Sequence, residues 1–306
     1  MEKKNFMALE SVCQLRFLEA GNCFHVCSQE NHPVLFHNED EFKAAMNVVA
    51  FAAFLFPDVR IFTFEVMDNH FHFLLAGSKD RITLFLRMLV MKLSVHPLLK
   101  ESSADLKHLV FKTYSIDNLN LIRNVIAYIN RNGAVVDSNE NVFTYRWGAN
   151  RFFFNREARL RFESCGTSLT SRQKREMFHS DLLAKEDAVT VLDGYVFPLC
   201  FCYVKEAESM FRNCRHYFYC VSRNVEASAE VAKSIGKSLF YTDDDLFVHI
   251  SGLCSKRYGG RSIAALPKDA KLEIAKELHF DFNAGNKQIS RLLKMELSIV
   301  SALFPG

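Results

Sequence analysis

His70, Phe71 and His72 stand inside the run V-M-D-N-H-F-H-F-L-L at 66–75. On a strand, side chains at i and i+2 leave from the same face. Both imidazoles can then meet one divalent cation while Phe71 turns into the core. The same pattern also describes two polar residues on a solvated face, and spacing alone does not separate the two readings. Tyr128 stands in A-Y-I-N-R-N-G at 127–133, with Asn132 four residues on. On a helix, i and i+4 share a face, so a phenol able to act as a nucleophile would stand beside a carboxamide able to act as a hard oxygen ligand. Two histidines on a strand and a Tyr/Asn pair on a helix covering it would make a site for phosphoryl transfer. Without that convergence Tyr128 is a rim aromatic.

The elements that must position these residues can be read around them. Cys23 to Gln29 alternates as a strand. Asn38 followed by Glu41 forms a capping box for a helix through Phe56, halted by Pro57 and Asp58. Arg60–Val66 and His70–Ala76 are β-rich runs joined by Met67-Asp68-Asn69, which predicts an antiparallel hairpin. Lys79 to Leu99 is an amphipathic helix ending near Pro97, and Leu109 to Tyr114 is β-prone. Ile116 to Asn132 carries apolar residues at 119, 122, 125, 126 and 129, a helix stopped by Gly133 as its terminating glycine. The order β-α-β-β-α-β-α predicts an α+β fold with a ferredoxin-like antiparallel sheet, covering helices and one extra helix.

At 306 residues the chain is long for one domain, and its 49% hydrophobic content with only 6 Pro and 12 Gly excludes disordered and collagen-like classes. Nine cysteines without a C-x-x-C pair predict reduced thiols in a cytoplasmic protein. No signal peptide is visible, and the longest apolar stretch, Asn47 to Phe56, is about half of a membrane span. The net charge of +3 averages a first half with 15 basic and 16 acidic residues and a second, from residue 151, with 23 and 19. Most of the 29 phenylalanines are expected in the core.

The motifs together resemble the single-tyrosine HUH transposases (histidine, hydrophobe, histidine), and among them the REP-associated tyrosine transposases. The matching residues are H-V at 25–26, L-F at 35–36, the block at 66–75, Y-I-N-R-N at 128–132 and Tyr145-Arg146-Trp147, covering roughly residues 20–150. The resemblance implies that His70, His72 and Asn132 hold Mg²⁺ or Mn²⁺ while Tyr128 attacks a phosphodiester of single-stranded DNA, leaving a 5′-phosphotyrosine link and a free 3′-hydroxyl. It also implies imperfect DNA hairpins as partners, nucleoid association when bound, and, in some members, homodimers with composite sites. The sequence departs from the family where Asp68 and Gly133 replace prolines and Gly148-Ala149 replaces Ser-Ser.

Two domains are expected: 1–150, carrying the nuclease-like motifs, and 151–306, basic and mainly helical. The Arg/Lys-rich stretch at 151–180 reads as a solvated helix face or a phosphate-binding arm. Asn286–Leu293 and Leu297–Leu303, separated by Lys294-Met295-Glu296, fit a helix-turn-helix burying Ile289, Leu292, Leu293, Ile299, Val300 and Leu303, as would any two-helix hairpin. Candidate DNA contacts are Lys79, Arg81, Arg87, Lys92 and Arg131 near the motifs, then Lys287, Arg291, Lys294 and the run K-R-Y-G-G-R at 256–261. Alternatives to a nicking enzyme are a hairpin-binding protein that does not cleave and a ferredoxin-like RNA-binding module with a structural H-x-H.

Overall fold

The protein is described by a computed structural model covering residues 2–28, 34–136, 144–185, 189–222, 243–260, 262–280 and 284–304. A helix, α1 (Glu2–Ala20), precedes the expected order. It is followed by β1 (Cys23–Ser28), α2 (Glu39–Leu55), β2 (Arg60–Val66), β3 (Phe71–Ala76), α3 (Lys79–Val95), a short α4 (Ser103–Lys107), β4 (Phe111–Ile116) and α5 (Leu119–Val136). The sheet is antiparallel with order β2-β3-β1-β4, so β3 splits β1 from β2 as in a ferredoxin-like fold. Asn38 caps α2 as expected: its side chain accepts from Glu41 N–H at 3.1 Å and donates to Glu41 Oε1 at 2.7 Å. α3 stops at Val95, because Pro97 cannot continue it and starts a 3₁₀ turn through Leu99. Among the described residues no helix is long and apolar enough to cross a membrane.

Strand alternation divides the sheet into two faces. Phe71 and Phe73 point to one and pack against Phe64 and, from α3, Phe85, all fully buried. Each such ring contributes about 1.5–3 kcal/mol by leaving water. The other face carries His72, flanked across the strands by Glu65 on β2 and Cys27 on β1, with Lys112 beyond on β4. The next row is Thr63, Leu74, His25 and Tyr114. α5 lies over this face. Asn130 holds it there, accepting from Thr63 Oγ1 at 2.5 Å and donating to Tyr217 Oη at 2.9 Å.

Gly133 does not end α5, which continues to Val136. Its N–H donates to Glu65 Oε2 at 2.8 Å, and a Cβ there would lie 2.2 Å from the Tyr145 ring. The glycine is a packing requirement, and with helical backbone on both sides it needs no left-handed turn. The segment around Tyr145-Arg146-Trp147 runs along the outer edge of β2. Val66 N–H donates to Trp147 O at 2.8 Å, Ala149 N–H to Phe64 O at 3.0 Å, and Gly148 bridges Glu65. Further along the same edge, Tyr203 N–H donates to Ile61 O at 2.8 Å. Backbone groups of an edge strand that would otherwise invite another chain are thus occupied.

The chain divides into two compact units, Met1–Val221 and Ser222–Gly306, rather than near residue 150. The reason is that residues 151–221 fold onto the first sheet layer. They include helices α6 (Arg156–Cys165), α7 (Ser171–Phe178), α8 (Val204–Ser209) and α9 (Cys214–Ser222). They also hold an unexpected small sheet, β5 (Thr167–Ser168), β6 (Thr190–Leu192) and β7 (Tyr195–Val196). Asp193 and Gly194, both at positive φ, make the two-residue turn between β6 and β7, the Asp-Gly hairpin signal in its usual form. Val196 N–H then donates to Asn47 Oδ1 of α2 at 2.8 Å.

The second unit is helical: α10 (Asp243–Arg257), α11 (Lys268–Phe280), α12 (Asn286–Leu293) and α13 (Leu297–Leu303). The expected helix pair is present, turned at Lys294 with φ 50°. Ile289, Leu293 and Val300 are buried, but Ile299 is 47% exposed and Leu303 is also exposed, with Leu297 beside them. α13 therefore exposes Leu297, Ile299 and Leu303, together with Ser298 and Ser301 as its polar side chains. In the 256–261 run, Arg257 pairs with Glu277 at 2.9 Å and Tyr258 Oη donates to Glu273 at 2.9 Å, while Arg261 lies outside the described residues.

Candidate metal and nucleophile site

A turn over Met67-Asp68-Asn69-His70, closed by Met67 N–H to His70 O at 2.8 Å, delivers His70 just ahead of β3. His70 Nδ1 lies 2.6 Å from Asn69 Oδ1. An amide oxygen only accepts, so the proton is on Nδ1 and Nε2 keeps its lone pair. That lone pair faces His72 Nε2 at 3.0 Å, and on the other side of the same ring His72 Nδ1 faces His25 Nε2 at 3.3 Å. One imidazole therefore sits between two others, using both nitrogens. The His25 and His72 rings are nearly coplanar and meet edge to edge, with centroids 5.5 Å apart and planes 13° apart.

Tyr128 closes the cluster from α5. Its ring stands edge-on to His72 at 5.3 Å and to His25 at 5.9 Å. Burial is graded: Tyr128 and His70 are 7% and 8% exposed at the rim, while His72, His25 and Cys27 are fully enclosed. The structure thus brings His70, His72 and Tyr128 together. Asn132 lies one turn beyond Tyr128, half-buried beside Gly133, and its Nδ2 has no hydrogen-bond partner among the described residues.

His25, Cys27 and Glu65 carry no role in the motif reading. His25, Cys27 and His72 offer ligand atoms that all lie within 4.8 Å of one another, a set that can hold a metal ion. Glu65 lies directly across from His72 on β2, fully buried. Burial pushes its pKa well above the usual carboxylate range, against the smaller opposing pull of the Gly133 N–H. The alternation C-F-H-V-C places Cys23, His25 and Cys27 on one face, which is a local signal. Which face it is, and that it meets His72, depends on strand order and register.

The candidate DNA contacts are scattered. Lys79 and Arg81 open α3, on the layer opposite His72, and Arg81 is bound bidentately to Asp58 at 2.5 and 2.8 Å. Lys92 of the same helix donates to the carbonyls of Phe178 and His179. These residues do not line the histidine face. Arg131 is half-buried on α5, next to Asn132. Lys287 and Arg291 are exposed one turn apart on α12 of the second unit. No protein family, curated protein or solved structure matches this chain.

Proposed function

We propose that the protein nicks and rejoins single-stranded DNA, in the manner of the HUH single-tyrosine transposases, with Tyr128 as nucleophile. The observation that carries this reading is the packing of Tyr128 edge-on against His72 while His72 Nε2 faces His70 Nε2 at 3.0 Å. A cation with ligands at about 2.0–2.1 Å in octahedral geometry sets neighbouring donors about 2.9 Å apart, so the two nitrogens fit a hard divalent ion. Two imidazoles in the donor set favour Mn²⁺ over Mg²⁺, with Asn132 as an oxygen donor. Such an ion supplies charge neutralisation at the phosphate oxygens.

This chain's residues do the rest. Tyr128 Oη forms the bond to phosphorus as the P–O3′ bond breaks, and the phenol proton ends on the released 3′-oxygen. A phenol of pKa about 10 is also a good leaving group, so the 3′-hydroxyl can reverse the step without ATP. His25 accepts from His72 Nδ1–H, which leaves the His72 Nε2 lone pair free for the ion. In the single chain described, α5 with Tyr128 and both histidines come from the same copy.

The near-complete burial of Tyr128 favours one other reading, a hairpin-binding protein that does not cleave. A labelled DNA hairpin with a single-stranded flank, incubated with Mn²⁺, decides between them. A covalent protein–DNA adduct that disappears in Tyr128→Phe supports nicking. Tight binding without an adduct supports the second reading, and no hairpin preference removes both.

A further inference from the structure

We propose that His25 Nε2, Cys27 Sγ and His72 Nδ1 form a separate site for a thiophilic divalent cation, Zn²⁺, that shares His72 with the His70 pair so that the two cations exclude each other. The exclusion rests on the nicking reading above; the zinc site itself does not. The two nitrogen–nitrogen contacts of His72 differ in the sense that two coordination geometries require. Zinc with Zn–N of about 2.0–2.1 Å in a tetrahedron sets its nitrogens about 3.3–3.4 Å apart, and His25 Nε2 lies 3.3 Å from His72 Nδ1. The His70–His72 contact is shorter, at 3.0 Å.

Cys27 makes the inner position selective. Across the β1–β3 ladder it stands directly beside His72, and its sulfur lies within 4.8 Å of both donor nitrogens. A tetrahedral N–Zn–S angle sets about 3.6 Å, so the sulfur has at most about 1.2 Å to close. Thiolate and imidazole are soft or borderline donors that hold zinc and reject magnesium. Three ligands leave one tetrahedral position, as in exchangeable rather than closed structural sites. On binding, the Cys27 thiol proton leaves to solvent.

Exclusion follows as long as the His72 ring stays neutral and does not give up its remaining N–H proton to bridge both ions as imidazolate. A neutral imidazole has one lone pair and one N–H, so His72 can give a lone pair to the outer ion from Nε2 or to zinc from Nδ1, but not to both. With zinc inside, the His72 proton moves to Nε2 and points at His70, where the outer ion would sit. By linkage, each ion weakens the other by the same factor, here at least about tenfold.

The test uses the full chain. Co²⁺ replacing Zn²⁺ should give a thiolate-to-cobalt charge-transfer band that is lost in Cys27→Ser and kept in Cys23→Ser, which changes a buried cysteine on the same strand face. Absence of the band in the unsubstituted protein, or its survival in Cys27→Ser, overturns the site. If Cys27→Ser does not fold, X-ray absorption of the zinc-loaded protein decides directly: one sulfur and two imidazoles are expected, and a shell without sulfur overturns it. Mn²⁺ binding followed by electron paramagnetic resonance should weaken at least about tenfold with one equivalent of zinc, and not in Cys27→Ser. Both ions bound together would overturn the exclusion. Should Mn²⁺ fail to bind at all while the cobalt band is present, the nicking reading and the exclusion fall and the zinc site stands.

Discussion

His25 of β1 meets His72 of β3 edge to edge, the two rings nearly coplanar with centroids 5.5 Å apart, and its Nε2 is 3.3 Å from His72 Nδ1. The contact makes His25 a positioning residue: it decides which His72 nitrogen keeps its lone pair. His25→Phe keeps an aromatic ring in the buried position and removes the acceptor. It should weaken Mn²⁺ binding by about 10–100-fold and, by leaving the buried His72 Nδ1–H without an acceptor, cost about 1–3 kcal/mol of stability. His25→Gln, whose amide oxygen accepts a hydrogen bond, should recover part of the loss. Manganese titrations of the three proteins check this, and equal affinities would remove the role.

Gly148 lies where the segment after α5 crosses the edge of β2. A Cβ there would meet Phe64 O at 2.5 Å and the Glu65 side chain at 2.8 Å. The carbonyl belongs to a paired strand and cannot move away cheaply. Gly148→Ala should cost about 1–3 kcal/mol, read from urea unfolding. Gly133→Ala meets the Tyr145 ring instead, so its cost should shrink in a Tyr145→Ala background, whereas that of Gly148→Ala should not.

Arg123, 3% exposed on α5, donates to Glu10 of α1 at 2.6 Å and to Met210 O at 2.7 Å. Its hydrogen bond and charge hold the Glu10 carboxyl below the usual range. Glu10→Ala leaves a buried guanidinium without its counter-charge and should cost about 3 kcal/mol, at the lower end for such losses because Glu10 is partly solvated. Denaturant melts at neutral pH measure it.

His96 and His216 are both held neutral, each with its pKa lowered from 6.5 to about 4. Burial is the main cause for both. His179 and Lys92 add to it at His96; at His216, Arg212 and Arg123 add to it and Glu10 opposes. The unfolded chain therefore takes up protons that the folded one refuses as pH falls from about 6.5 to about 4, so stability is full above that window and declines through it. Melting temperatures at pH 7 and pH 5 should differ. His96→Asn and His216→Asn, which keep an acceptor near the ring Nδ1 position, should each narrow the difference.

Much of the first sheet is legible along the chain because its signals are local. Asn38 and Glu41 cap α2, Pro97 ends α3, and alternation marks β1, β2 and β3 within about one residue. Gly133 misleads because a glycine after an amphipathic run is a common helix end, and only the Tyr145 ring and the Glu65 carboxylate, distant in sequence, give it another purpose. The Asp193-Gly194 turn carries a clear signal, but the strands on either side are too short to show a period. The unit boundary moves from about 150 to 221 because the segments after Trp147 satisfy the free edge of β2, a requirement that composition does not register.

By itself the sequence determined which side chains lie on the same face of their own strand or helix: His70 with His72, Tyr128 with Asn132, His25 with Cys27. Those pairings follow from the periods of 2 and 3.6 and need no partner strand. Only the tertiary structure decided that the faces meet, since β3 lies between β1 and β2 and the register places Cys27 and Glu65 on either side of His72. A shift of one residue in either ladder would send those groups to the phenylalanine face. The two-sided environment of His72, on which both proposed cation positions depend, is a property of that register.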